Sequence, residues 1–198
     1  QGPWVLPGPF TATLVVNGRQ VASQGFTVVG DRDITITDAD RQQRFEVLKE
    51  GQRLEARLSE AVSAMRTAKG QFAQLKGILA DSTTVPADLR ATFDTLDKQL
   101  APFRKRFYLM AEGDDESEFE GLEFRTVLPF KLSGLVGGVG GATMPLTTTD
   151  LDQWNELRTE VPAAIDDVNA FIVQLKPFYA RLLEAGLFPA VPKPIVKP

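Results

Sequence analysis

The sequence contains no cysteine and no histidine among its 198 residues. The lack of cysteine excludes disulfides, thiol nucleophiles and cysteine-based zinc sites. The lack of histidine excludes histidine bases and Ser-His-Asp triads. Carboxylates could still bind calcium, but neither Asp31, Asp33, Asp38 and Asp40 nor the acidic run 112–120 matches the EF-hand spacing, and solvated loops are the favoured interpretation. We therefore predict no catalytic residue, no metal site and no cofactor, and we expect that the chain is not an enzyme.

The chain also lacks a strong excess of charge and a long apolar run. It has 22 basic and 26 acidic residues, a net charge of −4, so no broad basic face for nucleic acid is expected. The stretch 127–146 contains Lys131 and five glycines, and its apolar density is too low for a membrane span. The first residues, QGPWVLPGPF, do not have the pattern of a signal peptide. We expect a soluble chain without a transmembrane segment.

The first 37 residues have the pattern of a β-hairpin. Asn17-Gly18 separates two β-rich runs and favours a type I′ turn, which needs positive φ at both central residues. A bulge is predicted at Gly25. Because an isolated two-stranded ribbon is marginal in water, the hairpin is expected to complete a larger sheet or to pack on this chain's own helices. The apolar side chains predicted to share one face are Phe10, Ala12, Leu14, Val16, Phe26 and Val28.

Residues 38–187 have the spacing of long amphipathic helices. Apolar residues recur at alternating intervals of three and four, as in a heptad seam. Thr37 with Asp40, and Thr147 with Asp150, predict reciprocal caps at the starts of the first and third long helices. Pro102 is expected to bend the second helix, and Pro162 and Pro177 to kink or divide the last segment. The predicted helices cover about 38–80, 86–111, 148–175 and 178–185, followed by a Pro-rich tail at 188–198.

These seams predict a mainly α fold. Three long amphipathic helices joined by connections of modest length favour an antiparallel three-helix bundle, preceded by the hairpin. The predicted core residues are Leu54, Leu58, Ala61, Met65, Ala68, Phe72, Leu75 and Leu79 in the first helix; Leu89, Phe93, Leu96, Leu100, Phe103, Phe107 and Met110 in the second; and Leu151, Trp154, Leu157, Val161, Ile165, Val168, Ile172 and Leu175 in the third.

The connection after the second helix is acidic. Residues 112–128 contain seven acidic residues and one basic residue, so this segment is more negative than the chain as a whole. Helix packing requires neither this connection nor the edge of the hairpin, and we predict that contacts with another polypeptide concentrate at these two features. A solvated loop without a partner is the alternative interpretation. The candidate contact residues are Asp114, Asp115, Glu116, Glu118, Phe119 and Glu120.

The glycines between residues 134 and 141 superficially suggest a phosphate-binding loop. No Lys-Ser or Lys-Thr pair follows them and no strand clearly precedes them, so the match is poor. We interpret them instead as sites of close helix packing. The apolar residues around them, from Leu128 to Val139, predict a short helix.

The segment GPWVLPGPFTATLVVNG resembles the last strands of the immunoglobulin-like domain that follows a β-propeller in secreted bacterial proteins of the sortilin-type, Asp-box (BNR) repeat class. LPFKLSGLVGGVGG, the helix start at 145–147 and the stretch 169–187 are similar to the helical C-terminal region of that family. The resemblance covers nearly the whole chain, but the acidic segment EGDDESEFE departs from the family pattern.

The resemblance implies that residues 1–37 are the end of an Ig-like sandwich and that the chain is a noncatalytic docking module. It also implies a secreted, periplasmic or cell-surface location. The expected partner is another polypeptide or an upstream β-propeller or Ig-like domain, with the oligomeric state open. The alternative is a C-terminal accessory piece of a secreted glycoside-hydrolase-like propeller enzyme whose active site lies outside this sequence.

Overall fold

The computed structural model of the protein describes residues 3–81, 85–110, 114–187 and 194. Within these residues the fold is mainly helical, with an N-terminal hairpin, which confirms the predicted fold class at this level. The strands are β1 (Gly8–Val16) and β2 (Arg19–Val28), and the helices are α1 (Asp38–Asp81), α2 (Ala87–Phe107), α3 (Leu128–Gly141) and α4 (Thr148–Glu184). Two short 3₁₀ helices, Glu116–Phe119 and Phe124–Thr126, lie between α2 and α3.

The chain divides into two compact units. One contains the residues up to 52 together with 135–154, and the other contains 53–134 together with the residues from 155 onward. The predicted tail at 188–198 lies outside the described residues except for residue 194.

The hairpin turn is the one that the sequence predicts, but the bulge is elsewhere. Asn17 and Gly18 have φ of 51° and 76°, as a type I′ turn requires. Leu14 pairs with Ala22 and the next pair is Val15 with Gln20, which leaves an extra residue in β2. The bulge predicted at Gly25 is therefore wrong. That glycine pairs in register, because a bulge needs an unpaired residue and not necessarily a glycine.

Within the first unit, α1 and α3 approach closely. A Cβ atom at Gly51 would lie 2.7 Å from Cγ2 of Val136, so only glycine fits there without a shift. Trp154 packs at the same place, 3.7 Å from that Cβ position, and is 5% exposed. Arg44 of α1 donates to the carbonyl oxygens of Val139, at 2.8 Å, and of Ala142. These contacts satisfy carbonyl groups that the end of α3 leaves unpaired.

The core of the second unit is aromatic. The Phe72 ring of α1 lies 5.2 Å from Phe93 of α2 and 6.0 Å from Phe178 of α4, measured between centroids. Phe103 of α2 lies 5.7 Å from Phe171 of α4. Every predicted seam residue of the first helix is buried, as are most of those in the other two.

The helix boundaries differ from the predicted ones at two places. α4 is a single helix from Thr148 to Glu184 with Pro162 and Pro177 inside it, so a division of the helix at either proline is wrong. A proline in a helix costs about 3 kcal/mol, but Phe178 and Leu182 bury their side chains beyond it. α2 ends at Phe107 rather than near residue 111, because Tyr108 adopts the left-handed conformation.

Both predicted helix caps are confirmed. At the start of α1, Thr37 Oγ1 donates to the Asp40 carboxylate at 2.6 Å and accepts from its backbone N–H at 3.1 Å. At the start of α4, Thr147 and Asp150 make the same bonds at 2.7 and 3.2 Å. None of the helices in the described part of the chain is both long enough and apolar enough to span a membrane.

Candidate functional site

The acidic segment is held against the protein by its own contacts. Asp114 forms an ion pair with Lys69 of α1. Lys69 is 8% exposed, and its Nζ also donates to the carbonyl oxygen of Leu109 at 2.6 Å. A buried ammonium group needs such partners because it has lost its hydration. Asp114 therefore neutralises a buried cation, whatever contact it makes with a partner.

Two more candidate carboxylates make bonds within the chain. Asp115 accepts a hydrogen bond from the backbone N–H of Ser117 at 3.0 Å and caps the 3₁₀ helix that follows it. Hydrogen bonding to Ser117 lowers the pKa of Asp115. Glu118 pairs at 3.5 Å with Arg104, which also bonds to Asp97 at 3.1 Å. The segment is thus a folded connection, fixed to α1 and α2.

The remaining candidates define a surface cavity. Phe119 and Glu120 both line it, and its volume is about 470 Å³. The side chain of Glu116 lies outside the described part of the structure. We call this site the aromatic cavity; its lining residues are Tyr108, Met110, Ser117, Phe119, Glu120, Leu122 and Phe124.

Tyr108 lines the aromatic cavity, and its backbone conformation is strained. Its φ of 51° is one that bulky residues rarely adopt, and it is the residue that ends α2. The left-handed conformation costs about 1–2 kcal/mol for a residue other than glycine. Following it, the backbone N–H of Leu109 donates to the carbonyl oxygen of Arg104 at 2.9 Å, which closes the helix. Ring contacts of Tyr108 offset this cost.

Those ring contacts form a cluster. Tyr108 lies 5.4 Å from Phe119 and 5.1 Å from Phe124, with interplanar angles of 74° and 66°. Phe130 lies 5.5 Å from Phe124 and 5.9 Å from Tyr108. Edge-to-face pairs of this kind stabilise one another beyond their burial alone. Phe124 nevertheless remains 56% exposed, so the cluster leaves an aromatic surface open to solvent.

Glu120 is the charged residue among those lining the aromatic cavity. The side chain is exposed, and no described residue forms an ion pair or hydrogen bond with its carboxylate. The cavity therefore combines aromatic walls with a carboxylate that keeps its full capacity to accept hydrogen bonds.

A second cavity, of about 530 Å³, lies between α2 and α4. It is mostly apolar and includes Leu96, Pro177 and Phe178. Its cation, Arg181, forms an ion pair with Asp88, and this hydrogen bond lowers the pKa of the Asp88 carboxyl. With its cation already engaged, this cavity offers less specific recognition than the aromatic cavity.

The hairpin presents the second candidate surface. Its sheet contains only β1 and β2 within the described residues, so each strand has a free edge. Leu14, Val16 and Phe26, predicted to share one face, are 57%, 49% and 50% exposed. A sheet edge and an exposed apolar face are costly in water unless something covers them.

Among the described residues, no three acidic side chains converge in a way that would hold a metal ion. Acidic side chains instead pair with cations, as Glu156 and Glu160 do with Lys131 at 2.6 and 2.9 Å. Desolvation lowers the pKa of Lys131, but these two carboxylates together outweigh it and raise the pKa above its ordinary value. The predicted lack of metal and cofactor stays a prediction.

Sequence reasoning placed Phe119 and Glu120 in the site but missed Tyr108, Phe124 and Phe130. A usable signal was present, because Phe119 and Phe124 alternate with carboxylates in a segment that the helix seams do not claim. Tyr108 carried no signal, since glycine or asparagine is the usual residue at a left-handed helix end.

No protein-family model, curated protein or solved structure matches this chain. The resemblance to the sortilin-type class therefore stays a prediction from sequence motifs.

Proposed function

We propose that this chain is a noncatalytic docking module of an extracytoplasmic protein or protein complex, which binds another polypeptide through its hairpin. The observation that carries the proposal is the hairpin itself, with two free edges among the described residues and half-exposed apolar side chains. Addition of a strand to a free edge uses backbone hydrogen bonds for affinity and alternate side chains for specificity.

The helices support this role as a scaffold. The aromatic contacts among α1, α2 and α4 favour an antiparallel three-helix bundle as the finer description of the fold. Their seams bury enough apolar surface to fold without a partner. The extracytoplasmic location in this proposal follows from the resemblance of the N-terminal segment.

Hydrogen exchange tests the proposal. Amides of β1 and β2 are expected to exchange rapidly in the isolated chain, and those at the paired edge are expected to be protected in the assembly isolated from its natural source. Equal exchange in both samples would contradict the proposal.

A pair of matched variants locates the interface. Leu14→Thr removes an exposed apolar side chain from the hairpin, and Ile78→Thr does the same on α1, where Ile78 is 41% exposed. Leu14→Thr is expected to weaken assembly at least tenfold, whereas Ile78→Thr leaves it unchanged. Equal effects would place the interface elsewhere.

The alternative is that this chain is an accessory piece of a secreted propeller enzyme. In that case the strands that pair with the hairpin belong to the same polypeptide. The intact mass of the natural protein separates the two versions. A species much larger than 21.7 kDa favours the enzyme version, whereas this chain in a stable complex favours the docking module.

A further inference from the structure

We infer that the aromatic cavity binds an arginine side chain presented by a partner polypeptide. The inference rests on the proposed function in one respect, that the partner is a polypeptide. The site itself is distinct in sequence from the hairpin. It consists of Tyr108, Phe119, Glu120 and Phe124 as the residues that recognise the ligand.

The aromatic walls select a cation. Rings attract a cation placed over their faces, within about 6 Å of the centroid. Among the rings that line the cavity, Phe124 is 56% exposed, so part of its ring stays open although Tyr108 packs against it. Among the described residues, no cation lies over a ring of this cavity. These rings therefore supply the aromatic contacts of the cation site.

Glu120 supplies the negative charge that would pair with the cation. Its carboxylate lines the cavity and has no partner among the residues that the structure describes. Asp114 and Glu118 do not line the cavity, and they are paired with Lys69 and Arg104. Glu120 and the aromatic residues therefore line one cavity, so a cationic side chain that enters it meets both a carboxylate and aromatic rings.

The shape of the cavity favours a side chain over a small molecule. Pockets for small molecules bury most of the ligand, whereas Glu120 and Phe124 here are exposed. A volume of about 470 Å³ accepts the end of a long side chain whose backbone stays at the surface. Arginine fits better than lysine, because its planar guanidinium stacks on rings and pairs with a carboxylate through two hydrogen bonds.

The test uses three short peptides that differ at one position: Ac-Gly-Arg-Gly-NH₂, its lysine analogue and its citrulline analogue, which has the same shape without the charge. Binding is followed by NMR chemical shifts of the labelled chain. The arginine peptide is expected to give saturable shifts centred on Tyr108, Phe119 and Phe124, and to bind at least fivefold more tightly than the citrulline peptide. Equal affinity for arginine and citrulline, or for arginine and lysine, would overturn the inference.

Variants assign the effect to named groups. Glu120→Gln is expected to weaken arginine binding at least fivefold, and Phe124→Leu, which keeps apolar volume without the ring, about threefold. Asp94→Asn removes the same charge from an exposed position of α2 and is expected to leave affinity unchanged. If Asp94→Asn matched Glu120→Gln, the cavity would be acting only through net charge and the inference would fail.

The hairpin variant separates this inference from the proposed function. Leu14→Thr is expected to bind the arginine peptide as the native chain does. If the native chain binds the arginine peptide but its hairpin amides are not protected in the assembly, the proposed function is wrong and the arginine site stands. Absent peptide binding with intact hairpin protection would do the reverse.

Discussion

Single residues in this protein decide where helices can touch. Gly51 and Gly70 both lie in α1, where glycine is less favourable than alanine by about 1 kcal/mol. Their surroundings differ, because a Cβ at Gly51 meets Val136 at 2.7 Å while one at Gly70 has nothing within 4 Å. The same amino acid is therefore required at one position and merely tolerated at the other.

The first prediction is that alanine has opposite effects at these two positions. Gly51→Ala is expected to lower the free energy of unfolding by about 1–3 kcal/mol, because overpacking outweighs helix propensity. Gly70→Ala is expected to raise it by about 0.5–1 kcal/mol. Urea titrations measure both. A stabilising Gly51→Ala would show that α1 and α3 are not in close contact.

The second prediction concerns the buried cation. Asp114→Asn is expected to destabilise the protein by about 2–4 kcal/mol, because the buried amine of Lys69 would lose its ionic partner. Lys69→Met is expected to cost less, because the side chain of Asp114 is 22% exposed and regains water. Thermal unfolding of both variants checks the order. A larger loss in Lys69→Met would mean that packing of the lysine stem dominates.

What the sequence predicts at this scale depends on distance along the chain. The bonds between Thr37 and Asp40 span three residues, so a local motif was enough to predict them. The pair of Lys69 and Asp114 spans forty-five residues, and neither residue carries a local sign of the other.

The glycines of α3 were expected at close contacts, but Gly137 and Gly138 have open space beside them. Close approach occurs at Gly51, which no pattern marked.

At the scale of elements, start signals and seams were predictable and stop signals were not. α4 begins at its capping box and keeps its apolar spacing through Pro177, so burial on both sides of the proline overrides a local helix breaker. α2 stops at Tyr108, which nothing in its chemistry predicts. For the candidate site, the acidic residues drew attention to the right segment, but the aromatic cluster depends on contacts across the fold.

The third prediction tests the cap of α4. Thr147→Ala is expected to cost about 1 kcal/mol near neutral pH, while Thr149→Ala, one residue before Asp150 in the first turn, costs little. Hydrogen bonding to Thr147 lowers the pKa of Asp150 below its ordinary value of 3.8. A lowered pKa gives stability that is present above the ordinary value and lost as pH falls through the lowered one. The difference between Thr147→Ala and the native chain should therefore shrink in acid, as unfolding curves at several pH values would show. If the difference in stability did not change with pH, the effect would come from the Thr147 hydroxyl alone, without the charge of Asp150.

At the scale of the whole molecule, a well-buried helical core coexists with an exposed hairpin. Core residues such as Leu58 and Leu157 are almost fully buried, whereas Val16 and Val21 are about half exposed, at 49% and 57%. Stability is therefore expected to come from the helices, and association from the hairpin.

The fourth prediction separates those two properties. Val21→Lys is expected to reduce self-association of the isolated chain, because a lysine on a strand edge opposes pairing with another strand. The free energy of unfolding should change by less than about 0.5 kcal/mol, since the side chain is exposed. Val173→Lys, at an equally exposed position of α4, is the control. Sedimentation at increasing concentration measures association. Equal self-association of the two variants would show that the chain does not associate through the hairpin.

The two tryptophans lie at opposite extremes of exposure. Trp4, just before β1, is 80% exposed, whereas Trp154, beside Gly51, is 5% exposed. Indole emission shifts to shorter wavelength when water is removed, so a partner that covers the start of the hairpin should shift the Trp4 signal while the protein stays folded. Loss of the contact between α1 and α3 should shift the Trp154 signal to longer wavelength. With no other tryptophan in the sequence, the intrinsic fluorescence of the chain can report docking and unfolding as changes of opposite sign.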